Sequence, residues 1–372
     1  MKKRLLVLGI GPAQVDLIEI AKKMGMEVFA CAFDSKGPGL SLVDDFRVID
    51  IKDINAVRNY AAEKHVDIIY SMALESAVPT ITKVSEQLKL PTFCTTDTLS
   101  KLTNKATWRR SLGDINGNVM STSGKKLEDF KDWEYYPSVI KPVDGSGQRG
   151  VYKVSNFEEV AKVFETSISH SMSKELIIEE YVDGPEISVN ALMYNGELKI
   201  SVISDRISYS EYPGGIIKEH HVPSRIINDD IENQVHNLVK QVNNIMGLKN
   251  GHIYFQLKLE KDGPKLIEFT PRFDGCHMWR LINESTGLDL RKVVLEILAG
   301  GVSRTLNEYD FTKKLVMVKT KFISDKPGTV VNKNNYDIPQ NPVYLEWYYE
   351  DGEKLKNVTG YLEKVGYMIV QE

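Results

Sequence analysis

The first hundred residues alternate short apolar runs with amphipathic stretches, and this alternation restricts the fold more than any other feature of the chain. RLLVLGI (4–10), EVFACAF (27–33), FRVIDI (46–51) and DIIYSM (67–72) read as buried strands. AQVDLIEIAKKMG (13–25), INAVRNYAAEKH (54–65) and SAVPTITKVSEQLKL (76–90) read as helices, and PTFC (91–94) as a further short strand. Apolar strands separated by helices of this length form a parallel sheet covered on both faces.

From about residue 100 the pattern changes. TDTLSKLTNKATWRRSLG (96–113) predicts a helix with Thr or Asp as its cap. SVIKPV, GVYKV and ELIIEEYVDGPEISVNALMYNGELKISVI (175–203) predict strands joined by glycine-containing turns. DDIENQVHNLVKQVNNIMG (229–247) predicts a helix with Ile231, Val235, Leu238, Val239, Val242 and Ile245 on one face. A hairpin over 252–272 and a helix near 287–299 follow, and short strands and turns fill the rest. The expected organisation is an α/β domain over 1–100, a larger α+β domain over 101–300 and a small β-rich part over 301–372. A chain of 372 residues is long enough for two or three cores.

Composition narrows the partners. A net charge of −4 gives no overall attraction to nucleic acid or anionic membrane. Cys31, Cys94 and Cys276 are widely spaced with no C-x-x-C pair, which argues against a disulfide framework or a zinc site. The apolar run after MKKR is about six residues long, too short for a secretory signal or a spanning helix, and no other run approaches membrane length. The expectation is a cytoplasmic protein acting on small molecules, with neither nucleic acid nor membrane as partner.

Two glycine clusters compete for a nucleotide. Gly9-x-Gly11 follows a strand and opens a helix, the context of a dinucleotide-binding turn, and Asp34 ends the second strand where a ribose-binding acid would stand. Gln14 occupies the place of the third small residue. In VIKPVDGSGQRGVYKV (139–154), Gly145, Gly147 and Gly150 match G-x-G-x-x-G by letter. A strand follows, however, so no helix N-terminus can hold a pyrophosphate. A glycine loop between strands suits a flap whose backbone N–H groups close over a phosphate chain, with Lys141 adding a compact cation. A plain surface hairpin uses the same residues.

HIYFQLKLEKDGPKLIEFTPR (252–272) can be read position by position. Ile253, Phe255, Leu257 and Leu259 alternate toward a core, and His252, Tyr254, Gln256 and Lys258 toward the other face. A three-residue turn at Lys261-Asp262-Gly263 sets Glu260 opposite Pro264, Gln256 opposite Glu268 and Tyr254 opposite Thr270. An oxygen-only pair suits Mg²⁺ or Mn²⁺ completed by substrate phosphates, and Arg272 beyond the strand is placed to meet charge on a transferring phosphoryl group. A solvated sheet face would also carry Glu and Gln.

In order and spacing these segments resemble the ATP-grasp superfamily of carboxylate–amine ligases. The likeness is to its biotin-carboxylase-like and carbamoyl-phosphate-synthase-like members, which include L-amino-acid ligases and phosphoribosylglycinamide synthetase. It runs from the Rossmann-like first domain through NKATWRRSL, the VIKP glycine-loop hairpin, IIEEYVDGPEISV and the Q-x11-E-x-T-P-R hairpin to TGYLEKVGYMIV. The resemblance implies a Rossmann-like domain ahead of a two-part ATP-grasp domain. That domain would have a small lobe over 101–178 with the flap and a large lobe over 179–300 with the metal hairpin.

The resemblance also implies roles. Lys105 and Lys141 would contact ATP phosphates under a flap of Gly145, Ser146, Gly147 and Gly150. Glu179, Glu180, Tyr181 and Val182 would line adenine, and Glu186 would bond the ribose. Gln256, Glu268 and Thr270 match metal positions, with two Mg²⁺ (or Mn²⁺) ions expected; Arg272 and Lys141 are the expected catalytic residues. Thr270 stands where the family usually has Asn, and Gln256 where it commonly has Glu. Asp274 replaces a small residue, which implies a specialised acceptor pocket near Asp274, His277 and Arg280. His220 and His221, in the loop GGIIKEHHVPSR, and Glu75, after the fourth strand, are further candidates for substrate contact.

The implied reaction activates a small-molecule carboxylate as an acyl phosphate and joins it to an amine, with no side-chain nucleophile. Two other readings of the residues stay open. One is a NAD-dependent oxidoreductase built on Gly9 and Gly11; the other is an ATP-binding regulatory homologue weakened by Thr270 and Gln256. Dimers are common among similar ligases, which leaves a homodimer open.

Overall fold

A computed structural model describes residues 2–145, 147, 149–212 and 215–372. The first region runs β1 (Arg4–Leu8), α1 (Pro12–Lys23), β2 (Glu27–Ala32), β3 (Asp45–Val48), α2 (Ile54–Glu63), β4 (Ile68–Tyr70) and α3 (Val78–Leu88). Its strands form a parallel sheet in the order β3-β2-β1-β4. Alternate residues of β1 enter two different cores, which is why the run is apolar throughout. Leu5 and Val7 pack with Leu17, Ile18 and Ala21 of α1; Leu6 and Leu8 pack with Val57, Tyr60 and Ala61 of α2 and Val84 of α3. Residues 91–94, expected as a strand, form none. Pro91 has no N–H to give a ladder, and Phe93 turns edge-on to the ring of Tyr70 at 6.0 Å.

The helix expected over 96–113 is two helices, α4 (Thr96–Thr103) and α5 (Lys105–Leu112). Asn104 breaks it: its backbone is extended, and its Oδ1 accepts a hydrogen bond from Thr107 N at 2.8 Å, so one residue ends α4 and caps α5. Lys105 thereby becomes the first residue of a helix. β5 (Ser121–Gly124), β6 (Ser138–Pro142), β7 (Tyr152–Val154), α6 (Phe157–Ser169) and β8 (Leu176–Glu180) follow, with an antiparallel sheet in the order β5-β8-β6-β7.

The rest of the chain builds one large antiparallel sheet. It contains β9 (Glu186–Tyr194), β10 (Glu197–Ser208), β11 (Ile217–Val222), then α7 (Asp229–Met246), β12 (Gly251–Glu260) and β13 (Gly263–Thr270). After these come α8 (Met278–Thr286), α9 (Leu290–Gly300), α10 (Arg304–Asn307), β14 (Val318–Asp325), β15 (Tyr344–Trp347) and β16 (Glu363–Gln371). The strand order is β13-β12-β9-β10-β11-β14-β16-β15. Residues 301–372 therefore make no sheet of their own: β14 pairs with β11, and β16 with β14. Ahead of the helix expected near 287–299 lies α8, which begins directly after His277 in left-handed conformation, φ 54°. On α7 the buried stripe is Val235, Leu238, Val239, Val242 and Met246, packed with Phe255, Leu257 and Leu266. Ile245, expected on that stripe, is 42% exposed. At 3.6 residues per turn it points about 80° away from Val235, whereas Met246 points about 20° away. Among the described residues no helix is long and apolar enough to cross a membrane.

Candidate active site

Residues 181–185 carry the chain from the small antiparallel sheet to the large one, and a cleft opens beside that crossing. Val119, Val139, Lys141, Gly145, Gly147 and Val151 line it on the small-sheet side, and Lys105 does so from α5. Glu179, Glu180, Tyr181, Val182 and Glu186 line it along the crossing; Gln256, Lys258, Ile267 and Glu268 line it from the hairpin β12–β13. Side chains expected to act together from four separate stretches of sequence thus face one space. Ser146, expected in the flap, lies outside the described residues.

The floor of the cleft is a buried charge cluster. Glu179 is expected to serve adenine through its backbone, but its side chain is 4% exposed and takes two cations at once. Arg109 Nε donates to Glu179 Oε1 at 2.8 Å, and Lys141 Nζ reaches Glu179 Oε2 at 2.7 Å. Burial pushes the Glu179 carboxyl up, but the two cations outweigh it and hold the carboxyl down at about 2. Burial also lowers Lys141, and Arg109 and Lys105 lower it further against the single carboxylate that raises it. Two cations therefore share one anion, with Lys105 close by. An anion bound beside Lys141 relieves this excess of positive charge. Arg109 escapes the motif reading; its only signal is its place one turn after Lys105 on α5, the same helix face.

The hairpin register brings Gln256 opposite Glu268 and Tyr254 opposite Thr270 by an unexpected route. The turn is one residue shorter than expected, with Glu260 opposite Gly263, and an irregularity between Gln256 and Leu257 restores the offset. Gln256 Nε2 donates to Glu186 Oε2 at 3.2 Å, so its amide oxygen is the free end. Glu268 Oε1 lies 4.0 Å from Lys105 Nζ. Thr270 is buried and does not line the cleft. A donor set of amide and carboxylate oxygens fits a hard divalent cation, with most of the compensating charge left to a ligand.

The glycine loop is held at both ends. Asp144 accepts hydrogen bonds from Ser173 N at 2.7 Å and Ser171 Oγ at 2.9 Å. Ser167 Oγ donates to Gly150 O at 2.7 Å. Gly150 has φ +72°, and a Cβ there would meet Ser167 O at 3.1 Å, so this position requires glycine. Lys105 Nζ donates to Gly145 O at 2.8 Å, tying the loop to α5. On the other side Tyr181 N donates to Pro137 O at 2.9 Å. Lys153 Nζ sits 3.5 Å from the Tyr181 ring centroid, and Lys258 Nζ donates to Val182 O at 3.2 Å. Lys258 was readable from the β12 alternation that it shares with Gln256. Glu180 accepts from Met120 N at 3.0 Å, and Glu186 is ion-paired with Arg206.

The remaining candidates divide into three groups. Arg272 lies past β13, where its Nη2 pairs with Glu75 Oε2 at 3.1 Å and its Nη1 donates to Phe273 O at 2.9 Å. His220 and His221 are not in a loop: both lie on β11, and His220 is fully buried. Burial and the neighbouring Arg206 hold His220 well below its ordinary pKa, so it is neutral. His221 Nε2 lies 2.9 Å from Glu219 Oε2. Of the residues expected to line an acceptor pocket, Arg280 and His277 are held by other side chains. Arg280 and Trp279 both bond the buried carboxylate of Asp16 on α1, so Arg280 ties α8 to α1. His277 stacks on Tyr367 at 4.2 Å and bonds Tyr348 OH at 2.7 Å. Asp274 lies beside His220 and Cys276.

At the other glycine pair a pocket lined by Gly9, Gly11, Asp34 and Lys36 opens, but the start of α1 is occupied by a side chain. Gln14 Oε1 accepts from Gly11 N at 3.0 Å, and Gln14 Nε2 donates to Met72 O at 2.6 Å. A pyrophosphate at the N-terminus of α1 would have to displace this buried amide.

A domain model described as the ATP-grasp domain matches residues 134–279, the span that holds the glycine loop, the crossing and the hairpin. An uncharacterized protein of Sinorhizobium fredii is 22% identical over 80% of this chain, a match that spans 62% of that protein's length. The alanine–anticapsin ligase of Bacillus amyloliquefaciens is 23% identical over 77% of this chain and 70% of its own length. Among solved structures, the L-amino acid ligase from Bacillus licheniformis superposes with a TM-score of 0.85 at 18% identity, covering 100% of this chain and 94% of that one. That likeness is one of fold.

Proposed function

We propose that this chain, which carries an ATP-grasp domain, is an ATP-dependent, ADP-forming ligase that activates a small-molecule carboxylate as an acyl phosphate and joins it to an amine. The observation that carries the reading is the buried Arg109–Glu179–Lys141 cluster, whose unbalanced positive charge faces Gln256 and Glu268 across the cleft. A phosphate chain fits between them. The small lobe, 101–178, and the large lobe, 179–300, are the two jaws.

Lys141 and Lys105 hold the phosphates, and the backbone of the loop from Gly145 to Gly150 covers them. Val119, Val139 and Val151 form an apolar slot for the base, with the backbone of residues 180–182 along its edge. Glu186 meets the ribose. Gln256 and Glu268 would hold Mg²⁺, which on binding neutralises the phosphate oxygens and orients them for transfer. Arg272 stabilises charge as the phosphoryl group passes to the substrate carboxylate, and Glu75 positions its guanidinium. Closure of the cleft excludes water from the acyl phosphate. The named relatives point to an amino acid as the carboxylate.

The test is a screen of the twenty amino acids with ATP, Mg²⁺ and hydroxylamine, scoring ADP and hydroxamate. Carboxylate-dependent ADP with matching hydroxamate is the expected result. ATP binding without ADP release for any carboxylate would return the chain to a regulatory role.

A further inference from the structure

The large sheet carries a second polar centre that none of the ATP contacts uses. Asp274 and Cys276, in the loop between β13 and α8, meet His220 of β11 there, and one ligand atom from each of the three lies within 4.8 Å of the other two. Tetrahedral zinc, with bonds of about 2.0–2.3 Å, holds its ligand atoms about 3.5 Å apart, so the three stand near ligation distance. His220 is 0% exposed and Asp274 6% exposed. Among the described residues, His220 Nε2 and Asp274 Oδ2 are shielded from solvent and have no hydrogen-bond partner. Buried polar atoms are seldom left so.

Each ligand is also oriented by a neighbour. His220 Nδ1 lies 3.4 Å from Ser204 Oγ, and Ser204 Oγ donates to Ser188 O at 3.5 Å. The hydroxyl thus has a lone pair to offer Nδ1–H, which leaves the ring's own lone pair on Nε2. A partner of this kind fixes the tautomer of a metal-bound imidazole. The backbone N–H of Cys276 bonds the Asp274 carboxyl and ties the two loop ligands together. Lys364 of β16, Arg206 of β10 and Arg272 all act on Asp274 and Cys276. Arg206 is ion-paired with Glu186 and Arg272 with Glu75, and Lys364 Nζ sits 3.5 Å from the Phe322 ring centroid. A divalent ion adds nothing to this positive charge, because the carboxylate and thiolate that take it up cancel its own. The ion deprotonates the Cys276 thiol, which burial otherwise keeps protonated.

We propose that His220, Asp274 and Cys276 form a zinc site, with water in the fourth position. Imidazole and thiolate select zinc over the magnesium that suits the oxygens of Gln256 and Glu268. The ion pins the loop after β13 to β11. Arg272 stands two residues before Asp274, so the metal fixes the backbone from which its guanidinium reaches Glu75. No C-x-x-C spacing announces the site, because β11 and the loop meet only in the folded chain. The zinc site does not depend on the nucleotide chemistry proposed above.

The test is the metal content of the full chain, produced with zinc in the medium and desalted without chelator. About one zinc per chain is expected, and Cys276→Ser and Asp274→Asn should each lose it. Cobalt in place of zinc should give a thiolate-to-cobalt charge-transfer band that Cys276→Ser lacks. Ser204→Ala removes no ligand and is expected to weaken zinc binding about tenfold to 100-fold, read by competition with a chromogenic chelator. A zinc-selective chelator should lower the melting temperature of the wild type and leave that of Cys276→Ser unchanged. A folded wild type that takes up no zinc and shows no cobalt–thiolate band overturns the proposal, as does zinc that survives both ligand substitutions.

Discussion

Two glycine-bearing turns in this molecule look alike as letters and differ in what fills them. At Gly9 and Gly11 a strand meets a helix, and the donor at the helix N-terminus is already spent on the side chain of Gln14. At Gly145 to Gly150 a strand meets a strand. There the loop is pinned at its two ends, and the cations beneath it outnumber their anion. Glycine makes close approach of a ligand geometrically available; the charge left unbalanced next to it decides whether an anion comes. The turn that matches the dinucleotide pattern better in context is the one whose helix start is already capped by a side chain.

The largest effect should come from the anion that holds the cations beneath the second turn. Glu179→Gln leaves Arg109 and Lys141 buried against a neutral group and is expected to cost about 3–5 kcal/mol of stability, read from urea unfolding. The carboxyl is depressed in the fold, so its contribution is complete above the ordinary value of 4.5 and is lost as pH falls toward about 2. The wild type should therefore lose stability across that window while Glu179→Gln stays flatter. A variant as stable as the wild type would break the comparison.

Glu268→Ala should lower carboxylate-dependent ADP formation by at least about 100-fold. The Glu268 side chain is 41% exposed, so the melting temperature should hardly move. Lys141→Met should raise KM for ATP about tenfold to 100-fold, the loss of one charge-assisted hydrogen bond. The smallest effect belongs to the first turn. Gln14→Ala should cost about 1–2 kcal/mol in unfolding experiments and leave ADP formation intact, and NADH fluorescence should not change on addition of either wild type or variant. NADH binding by the wild type would erase the contrast between the two turns.

The hairpin shows how a correct pairing can come from a wrong turn. Alternation along β12 placed Gln256 and Lys258 on one face, and that holds because the side-chain period of a strand is local. Turn length is a compromise between local propensity and twist, and here a shorter turn plus an irregularity between Gln256 and Leu257 reach the same Gln256–Glu268 pair. Asn104 is a similar case: helix propensity runs through it, yet a side chain able to bond Thr107 N can stop one helix and start the next. The partners of His220 and Arg280 were not legible. His220 is placed by its pairing with β10 and β14, and Arg280 by Asp16, 264 residues away in sequence.

What the sequence determined by itself were properties carried by neighbouring residues. These are the parallel first sheet, the strands on both sides of the glycine loop, and the face shared by Gln256 and Glu268. All follow from backbone periods of 2.0 and 3.6 residues acting over a few positions. What only the tertiary structure decided were the partners of buried charge: Arg109 and Lys141 on Glu179, Arg280 on Asp16, and Asp274 beside His220 with an oxygen left over. A charge removed from water must be matched in three dimensions, and the matching group can come from any part of the chain.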